Sequence, residues 1–212
     1  IKIDDLIYPL LLESSNDAAE VIAEHFDRAK FISKMNEGAK SLKMLDTSFQ
    51  DPSGLSENNK STALDIFKLA GYLNQKKQQL LQITKTPHYS SKKHIWSNIG
   101  QFLSKDGYLG GKSGYTDVAK QTVISIFSLP LGKDTSRPIA IVLLQSKDRK
   151  KDVDTILKYL KKNVYYGGAA DANTNWIKER LALPDTEQDF VDLLFGGDIM
   201  LDRGVKNSVV KN

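Results

Sequence analysis

Three β-rich segments in the middle of the chain restrict its fold more than any other feature. They cover Tyr108 to Thr116, Lys120 to Leu129 and Pro138 to Ser146, and a shorter candidate strand, His94 to Asn98, precedes them. β-Branched and aromatic residues, which favour strands, dominate the second segment. The links between the three segments contain glycine, aspartate and proline and are too short for helices. Because short links join antiparallel neighbours, the sequence predicts an antiparallel sheet.

Helical patterns lie on both sides of this predicted sheet. The predicted helices cover Leu6 to Leu12, Asp17 to Ala29, Phe31 to Lys43 and Thr62 to Leu73 before the sheet, and Arg149 to Lys162 after it. Asp4 is expected to cap the first helix, and Thr62 with Asp65 three residues later is a capping signal for the fourth. Helices, then an antiparallel sheet, then a helix predict an α+β architecture.

Composition excludes several classes of protein. The 212 residues include 40% hydrophobic and 26% charged residues, as in an ordinary globular domain. Cysteine is absent, so disulfides and thiolate metal sites are excluded, and the three histidines have no metal-ligand spacing. A net charge of +4 does not indicate a nucleic-acid-binding protein. The charges from Lys147 to Lys162 are typical of a solvated helix face, which would also attract an anionic polymer.

The first β-rich segment contains a glycine-rich stretch that looks like a phosphate-binding loop, GYLGGKSGYTD over residues 107–117. Such a loop needs four residues between its first glycine and the final Gly-Lys-Ser. Here Asp106 occupies the position of that glycine, and Gly107 leaves only three residues. A β-rich segment follows, so no helix N-terminus is available to hold a phosphate. Spacing and context therefore exclude a nucleotide site.

Two short motifs instead indicate acyl-transfer chemistry. One is Lys112-Ser113-Gly114 on a predicted strand, and the other is Ser14-Ser15-Asn16 just before a predicted helix. They match the K-[ST]-G and S-x-N elements of penicillin-recognising serine enzymes. A strand lysine supplies a fixed cation for a carboxylate, the neighbouring hydroxyl donates to it, and the glycine lets a substrate backbone lie against the strand. The S-x-N serine can pass protons, and the asparagine amide can bond a substrate amide.

Each motif also has a purely structural interpretation. Ser14 and Asp17 are typical of a helix capping box, a role that is compatible with catalysis. Lys112 would then be an ordinary strand lysine, and Gly110-Gly111 would form a β-bulge.

The motifs belong to three blocks that together resemble the D-alanyl-D-alanine carboxypeptidases, the low-molecular-mass penicillin-binding proteins. The blocks follow the family order and cover about residues 1–162. They are Asp5 to Leu12 with Ser14 to Ala19, Phe49 to Leu55 with Ser61 to Ala63, and Gly110 to Asp117 with Ala119. The resemblance implies a partial β-lactamase/transpeptidase-like fold, with a helical lobe and an antiparallel sheet flanked by helices.

The same resemblance implies a function and a set of roles. The family are serine acyltransferases of the cell envelope that act on peptidoglycan stem peptides ending in D-Ala-D-Ala, are inhibited by β-lactams, and use no metal or other cofactor. Lys112 and Ser113 would bind the terminal carboxylate, with Thr116 as a helper and Gly114 beside the substrate. Ser14 would shuttle a proton and Asn16 would position the peptide. Nucleic acid is not an expected partner, and a membrane anchor would lie outside this sequence.

The sequence departs from the family at the nucleophile, the serine of an S-x-x-K element several dozen residues before S-x-N. Only thirteen residues precede Ser14, and none is serine. Two S-x-x-K strings occur later, Ser90 to Lys93 and Ser208 to Lys211, and we interpret both as chance matches. We therefore expect the nucleophile and its base lysine to lie upstream of Ile1, and these 212 residues to be inactive by themselves.

The end of the chain predicts a change of domain. Residues 1–163 are expected to form the C-terminal portion of a penicillin-binding domain, 164–188 a linker with a short helix, and 189–212 the start of a second α/β domain. The last segment resembles the start of capsule or poly-γ-glutamate synthesis proteins, which have a metallophosphatase-like fold. That resemblance would place Asp198 where a metal ligand lies, although a plain strand and turn explain the fragment equally well.

Two other functions stay open from the sequence. The chain would be a non-catalytic cell-wall peptide-binding module if it kept the carboxylate-binding strand without acylation. It would be part of a fusion with a capsule-synthesis protein if the tail resemblance holds. Covalent trapping by a β-lactam separates an enzyme from a binding module, and metal dependence would indicate the phosphatase-like alternative.

Overall fold

A computed structural model describes residues 2–91, 93–131 and 136–164 of the chain. Residues 165–188 of the predicted linker and the predicted second-domain start, with Asp198 and Ser208, lie outside the described residues. Within the described part, no helix combines the length and the apolar character needed to cross a membrane.

The first third of the chain is helical. A 3-10 turn, Ile3–Leu6, and a π-helix, Pro9–Glu13, come first; the structure then has helices α1 (Asn16–His25), α2 (Arg28–Ser41), α3 (Ala63–Lys76) and α4 (Gln78–Lys85). The expected cap at Asp4 is wrong, because Asp4 lies inside the 3-10 turn and Lys2 precedes it without a side-chain cap. Thr62 does cap α3, accepting the N–H of Asp65 at 3.1 Å.

The predicted helix from Asp17 to Ala29 ends earlier than its pattern suggests. Asp27 adopts φ 66°, a left-handed value that interrupts the helix. Its carboxylate then accepts the N–H of Lys30 and starts α2, so one expected boundary moves from Phe31 to Arg28.

The predicted antiparallel sheet is confirmed. Strands β3 (Tyr108–Thr116), β4 (Lys120–Pro130) and β5 (Ser136–Ser146) pair in chain order, all antiparallel. A separate hairpin contains β1 (His88–Ser90) and β2 (Ile95–Ser97). Helix α5, Arg149–Asn163, follows the sheet.

The two faces of the sheet are buried by different helices. On one face, Val123 and Phe127 of β4 pack in a cluster with Val153 and Leu157 of α5. On the other face, Ile126 packs with Ala70 of α3 and Leu81 of α4. Helices therefore cover both sides of a three-stranded sheet, which is the predicted α+β arrangement.

A β-bulge lies just before the motif lysine, as the glycine pair predicted. The register of β3 on β4 shifts between Tyr108 and Gly110, and Gly110 has φ 140°. A Cβ on Gly110 would meet Thr84 Oγ1 of α4 at 2.6 Å. The next residue, Gly111, donates its N–H to the same hydroxyl at 3.0 Å. Helix α4 thus contacts β3 closely enough to fix the strand immediately before Lys112.

A buried carboxylate organises the connection between α2 and α3. Asp65, only 1% exposed, accepts the N–H of Asp46 and the hydroxyl of Thr47, both at 2.9 Å. Its other oxygen is bonded to Lys68 Nζ at 2.9 Å, and that ammonium also donates to the carbonyl of Lys43. Both charged groups of the ion pair therefore have additional hydrogen-bond partners.

Candidate active site

The two neighbouring serines at the start of α1 have separate roles. Ser15 caps the helix, because its Oγ accepts the N–H of Ala18 at 3.1 Å. The capping interpretation of Ser14 is therefore wrong. Ser14 ends the π-helix with φ 59° and ψ 39°. Left-handed backbone costs a residue other than glycine about 1–3 kcal/mol and is concentrated at functional sites, as are π-helices.

The structure brings the two motifs together. Lys112 Nζ donates to Ser14 Oγ at 2.6 Å, across 98 residues of sequence. The same ammonium donates to the carbonyl of Ser113 at 2.7 Å. The strand lysine and the serine that precedes α1 are thus placed for direct proton exchange.

The ammonium of Lys112 is bonded only to neutral groups in the part of the chain that the structure describes. Among the described residues, no carboxylate forms an ion pair with it, and both of its hydrogen bonds go to neutral oxygens. The pKa of Lys112 is lowered from 10.5 to about 8, mainly by burial and in smaller part by the positive charge of Arg149. At neutral pH this group is a partly buried cation without an anionic partner among the residues that the structure describes.

A second cation, Arg149, supports the same strand and was not identified from the sequence. Its Nη1 donates to the carbonyl of Gly114 at 2.7 Å, and its Nε donates to Gln101 Oε1 at 2.9 Å. Its backbone N–H donates to Gln121 Oε1 at 3.1 Å. The sequence placed Arg149 only in a basic helix. The sequence feature that could have identified Arg149 is its position as the first residue of α5, soon after the last strand of the sheet.

The remaining walls come from the segment after β2 and from α4. Asn98 donates to the carbonyls of Thr84 and Thr86 at 2.8 and 2.9 Å. Ile99 N–H donates to the carbonyl of Leu12 at 3.1 Å, which connects this segment to the helical start of the chain. Together with Lys112, Ser113 and Gly111, the cleft is lined by Leu11, Leu12, Thr84, Asn98, Ile99, Gly100, Gln101, Phe102, Tyr108 and Val123.

The other predicted residues occupy less enclosed positions. Asn16 is the exposed first residue of α1, and Gly114 follows Ser113 on β3. Thr116 ends β3, where its Oγ1 accepts the N–H of Ala119, so the hydroxyl can still donate. Ser90 is an exposed residue at the end of β1 and does not line the cleft.

No metal-binding group is present in the part of the chain that the structure describes. No three histidine, aspartate or glutamate side chains lie close enough there to hold an ion. The groups available in the cleft are an ammonium, hydroxyls, amides and backbone groups, which suit an anionic organic ligand.

Comparison with known proteins agrees with this geometry. Residues 1–146 match the Peptidase_S11 family, described as D-alanyl-D-alanine carboxypeptidase. A D-alanyl-D-alanine endopeptidase of Haemophilus influenzae is 32% identical over 133 residues, 59% of this chain and 46% of that protein. The D-alanyl-D-alanine carboxypeptidase DacF of Bacillus subtilis is 30% identical over 170 residues, 75% of this chain and 42% of that protein. The chain thus spans less than half the length of these relatives.

Solved structures show the same relationship at the level of the fold. Penicillin-binding protein D2 of Listeria monocytogenes in its cefotaxime-bound form has a TM-score of 0.67 and 28% identity, covering 77% of this chain and 67% of that one. Its ampicillin-bound form has a TM-score of 0.67 and 29% identity, with 77% and 68% coverage. The fold is therefore that of the penicillin-binding transpeptidases, and the chain belongs to the D-alanyl-D-alanine carboxypeptidase family.

Proposed function

We propose that this chain supplies the carboxylate-binding and proton-transfer half of a serine D-alanyl-D-alanine peptidase that acts on peptidoglycan stem peptides. The single observation that supports this function is the bond between Lys112 Nζ and Ser14 Oγ, made by an ammonium that no described carboxylate pairs with. A buried cation is costly unless it is paired, so its retention favours an anionic ligand as the missing partner.

The substrate's terminal carboxylate would supply that partner. Lys112 provides the charge, and the Ser113 hydroxyl and, in a supporting role, that of Thr116 donate hydrogen bonds to it. Gly114, fixed through its carbonyl by Arg149, leaves room for the substrate backbone along β3. Asn16 at the start of α1 would bond the peptide amide.

In the reaction, a serine hydroxyl attacks the carbonyl between the two D-alanines, its proton passes to a base, and the terminal D-alanine leaves as the amine. Water then hydrolyses the acyl-enzyme. Ser14 would pass a proton between Lys112 and the departing nitrogen, since its Oγ both accepts from Lys112 and carries a hydrogen to donate. We assign the attack to an S-x-x-K serine, an element that this sequence does not contain before Ser14.

The two Listeria structures support β-lactams as inhibitors of the complete site, because they contain cefotaxime and ampicillin in bound form. Because peptidoglycan is the proposed substrate, the cell envelope is the proposed location.

Intact-mass analysis after incubation with ampicillin tests the proposal. The samples are the 212-residue chain and its longest natural form. We expect an adduct of one ampicillin on a longer form that carries S-x-x-K, and none on the 212 residues alone. An adduct on Ser90 would show that we assigned the nucleophile wrongly.

A second candidate, a non-catalytic peptide-binding module, is favoured by one observation. The cleft holds the carboxylate-binding cation while the described residues around it include no S-x-x-K element. Reversible binding of an acetylated D-Ala-D-Ala peptide, without any adduct on either form, would establish this function. Loss of that binding in Lys112→Gln, with Lys76→Gln on the exposed end of α3 as the control, would assign it to the cleft.

A further inference from the structure

Helix α5 carries a concentrated positive face on its solvent side. The basic face consists of five exposed lysines, Lys150, Lys151, Lys158, Lys161 and Lys162. At 3.6 residues per turn, these five lie within an arc of roughly 120° around the helix. Val153, Leu157 and Leu160 occupy an adjacent arc of the helix and are buried against the sheet. Burial of the apolar side therefore orients all five lysines toward solvent.

The acidic residues of α5 do not neutralise this face. Asp148 caps the helix by accepting the N–H of Lys151 at 3.0 Å, and Asp152 accepts the hydroxyl of Ser146. Asp154 lies among the lysines but forms an ion pair with Lys105, which comes from outside the helix. Across residues 2–91, 93–131 and 136–164, no carboxylate forms an ion pair with a lysine of the basic face.

We propose that the basic face of α5 binds a linear polymer whose repeating charge is a phosphate or phosphodiester. Lys150 and Lys161 are 11 positions apart on the helix, about 16 Å along the axis at 1.5 Å per residue. A single small anion cannot contact lysines over that length, whereas an extended polyanion can contact all five at once. Lysine ammonium groups on flexible stems suit phosphate as mobile point charges.

The geometry favours a polymer over a lipid surface as the source of these phosphates. A helix that lies in a membrane interface inserts apolar side chains beside its basic residues. Here Val153, Leu157 and Leu160 are already buried in the protein core. The basic face therefore has charge for phosphate, while Tyr159 is the only large apolar side chain of α5 that is left exposed for a lipid.

The basic face begins one residue after Arg149, which holds Gly114 of the candidate active site. A polymer bound along α5 would consequently have one end close to the cleft. Binding itself does not depend on the proposed acyl transfer, because no lysine of the basic face lines the cleft.

Binding of inorganic polyphosphate to the full 212-residue chain, measured by calorimetry at several salt concentrations, tests this proposal. The test variant is Lys150→Gln with Lys158→Gln and Lys161→Gln. The matched control changes charge equally on exposed lysines of α2 and α3, Lys34→Gln, Lys40→Gln and Lys76→Gln. Circular dichroism confirms that both variants are folded. Phosphatidylglycerol vesicles, offered with and without polyphosphate, test the lipid source.

We expect the α5 variant to bind polyphosphate at least about tenfold more weakly, while the control stays within about twofold. The slope of log K against log salt should fall by roughly two, at about 0.7 per phosphate contact. Equal losses in both variants would overturn the proposal in favour of delocalised charge, and so would absence of binding at low salt. Vesicle binding that polyphosphate does not compete away would show that the surface binds lipid instead. None of these outcomes depends on β-lactam acylation.

Discussion

Two lysines in this molecule, Lys68 and Lys112, are both largely buried and hydrogen-bonded, yet their surroundings differ in one respect. The counter-charge of Lys68 is Asp65, which accepts a hydrogen bond from the Lys68 ammonium at 2.9 Å. The Asp65 carboxylate also accepts hydrogen bonds from Asp46 and Thr47. Lys112 has only the hydroxyl of Ser14 and a backbone carbonyl. The fold thus supplies the counter-charge of Lys68, whereas we propose that a ligand supplies that of Lys112.

This difference separates a structural ion pair from a binding site better than burial or residue type does. Removing one partner of a buried pair leaves an uncompensated charge and destabilises the protein. Removing a buried cation that has no partner takes away a desolvation cost instead. We therefore expect substitution of Asp65 to lower mainly the stability of the protein, and substitution of Lys112 to weaken mainly ligand binding.

The largest effect on stability is expected at the ion pair between Asp65 and Lys68. Asp65→Ala should lower the free energy of unfolding by about 3–5 kcal/mol, because Lys68 loses its partner inside the protein. Urea unfolding measures this value, with Asp106→Ala on the exposed surface as the control. A loss below about 1 kcal/mol would mean that the pair is a solvated surface contact and that the contrast with Lys112 is false.

Substitution of Lys112 should weaken ligand binding without lowering stability. Lys112→Met should weaken binding of an acetylated D-Ala-D-Ala peptide about 100-fold, since the substituted side chain cannot pair with a carboxylate. The free energy of unfolding should stay equal or rise, because a buried cation is replaced by an apolar chain of similar length. Calorimetry and urea unfolding on the same sample measure both quantities. A stability loss like that of Asp65→Ala would contradict a ligand-binding role.

The pKa of Lys112, lowered by burial to about 8, adds a pH test. Peptide affinity should fall about tenfold for each pH unit above about 8, because only the ammonium attracts a carboxylate. Stability should change the other way. Between about 8 and the ordinary 10.5 the unfolded chain binds more protons, so stability rises with pH relative to Lys112→Met. Titration with the peptide from pH 7 to 9 measures the first effect. A flat profile would mean that Lys112 keeps its ordinary pKa.

The smallest effect distinguishes the adjacent serines. Ser15→Ala should cost about 1 kcal/mol of stability through the lost helix cap and leave peptide binding unchanged. Ser14→Ala removes the hydrogen bond from Lys112 instead of a helix cap, and it should slow acylation by a β-lactam of a form that carries S-x-x-K. Paired urea and acylation measurements test this assignment. If Ser15→Ala slowed acylation and Ser14→Ala only lowered stability, Ser14 would be the helix cap.

The sheet was the part of the fold that the sequence predicted best. The bounds of β3 were predicted without error, and α5 was predicted to within one residue. Strand signals of this kind are local, because alternating β-branched residues and short links are both read over a few positions. Helix α4 was not predicted, since it has only eight residues and its place in the fold depends on the packing of Leu81 against Ile126.

The sequence motifs named residues of the candidate site but did not predict how those residues are arranged in space. Spacing identified Ser14, Lys112 and Ser113, but nothing local shows that Ser15 rather than Ser14 caps α1. That choice depends on the π-helix before it, a conformation without a distinct sequence signal. Arg149 was missed for a related reason. Its role comes from a contact with Gly114, 35 positions earlier in the chain, which only the tertiary fold creates.

The bond between Lys112 and Ser14 also has a consequence for the order of folding. Its partners are separated by 98 residues, so it forms only after a long loop has closed, at a cost in chain entropy that grows with the logarithm of loop length. The hairpins of the sheet close much shorter loops and do not need this step. We therefore expect the bond to form late in folding, after its strand has formed. Chains that collapse without docking the helical start on β3 would keep an ordered sheet and lack the site.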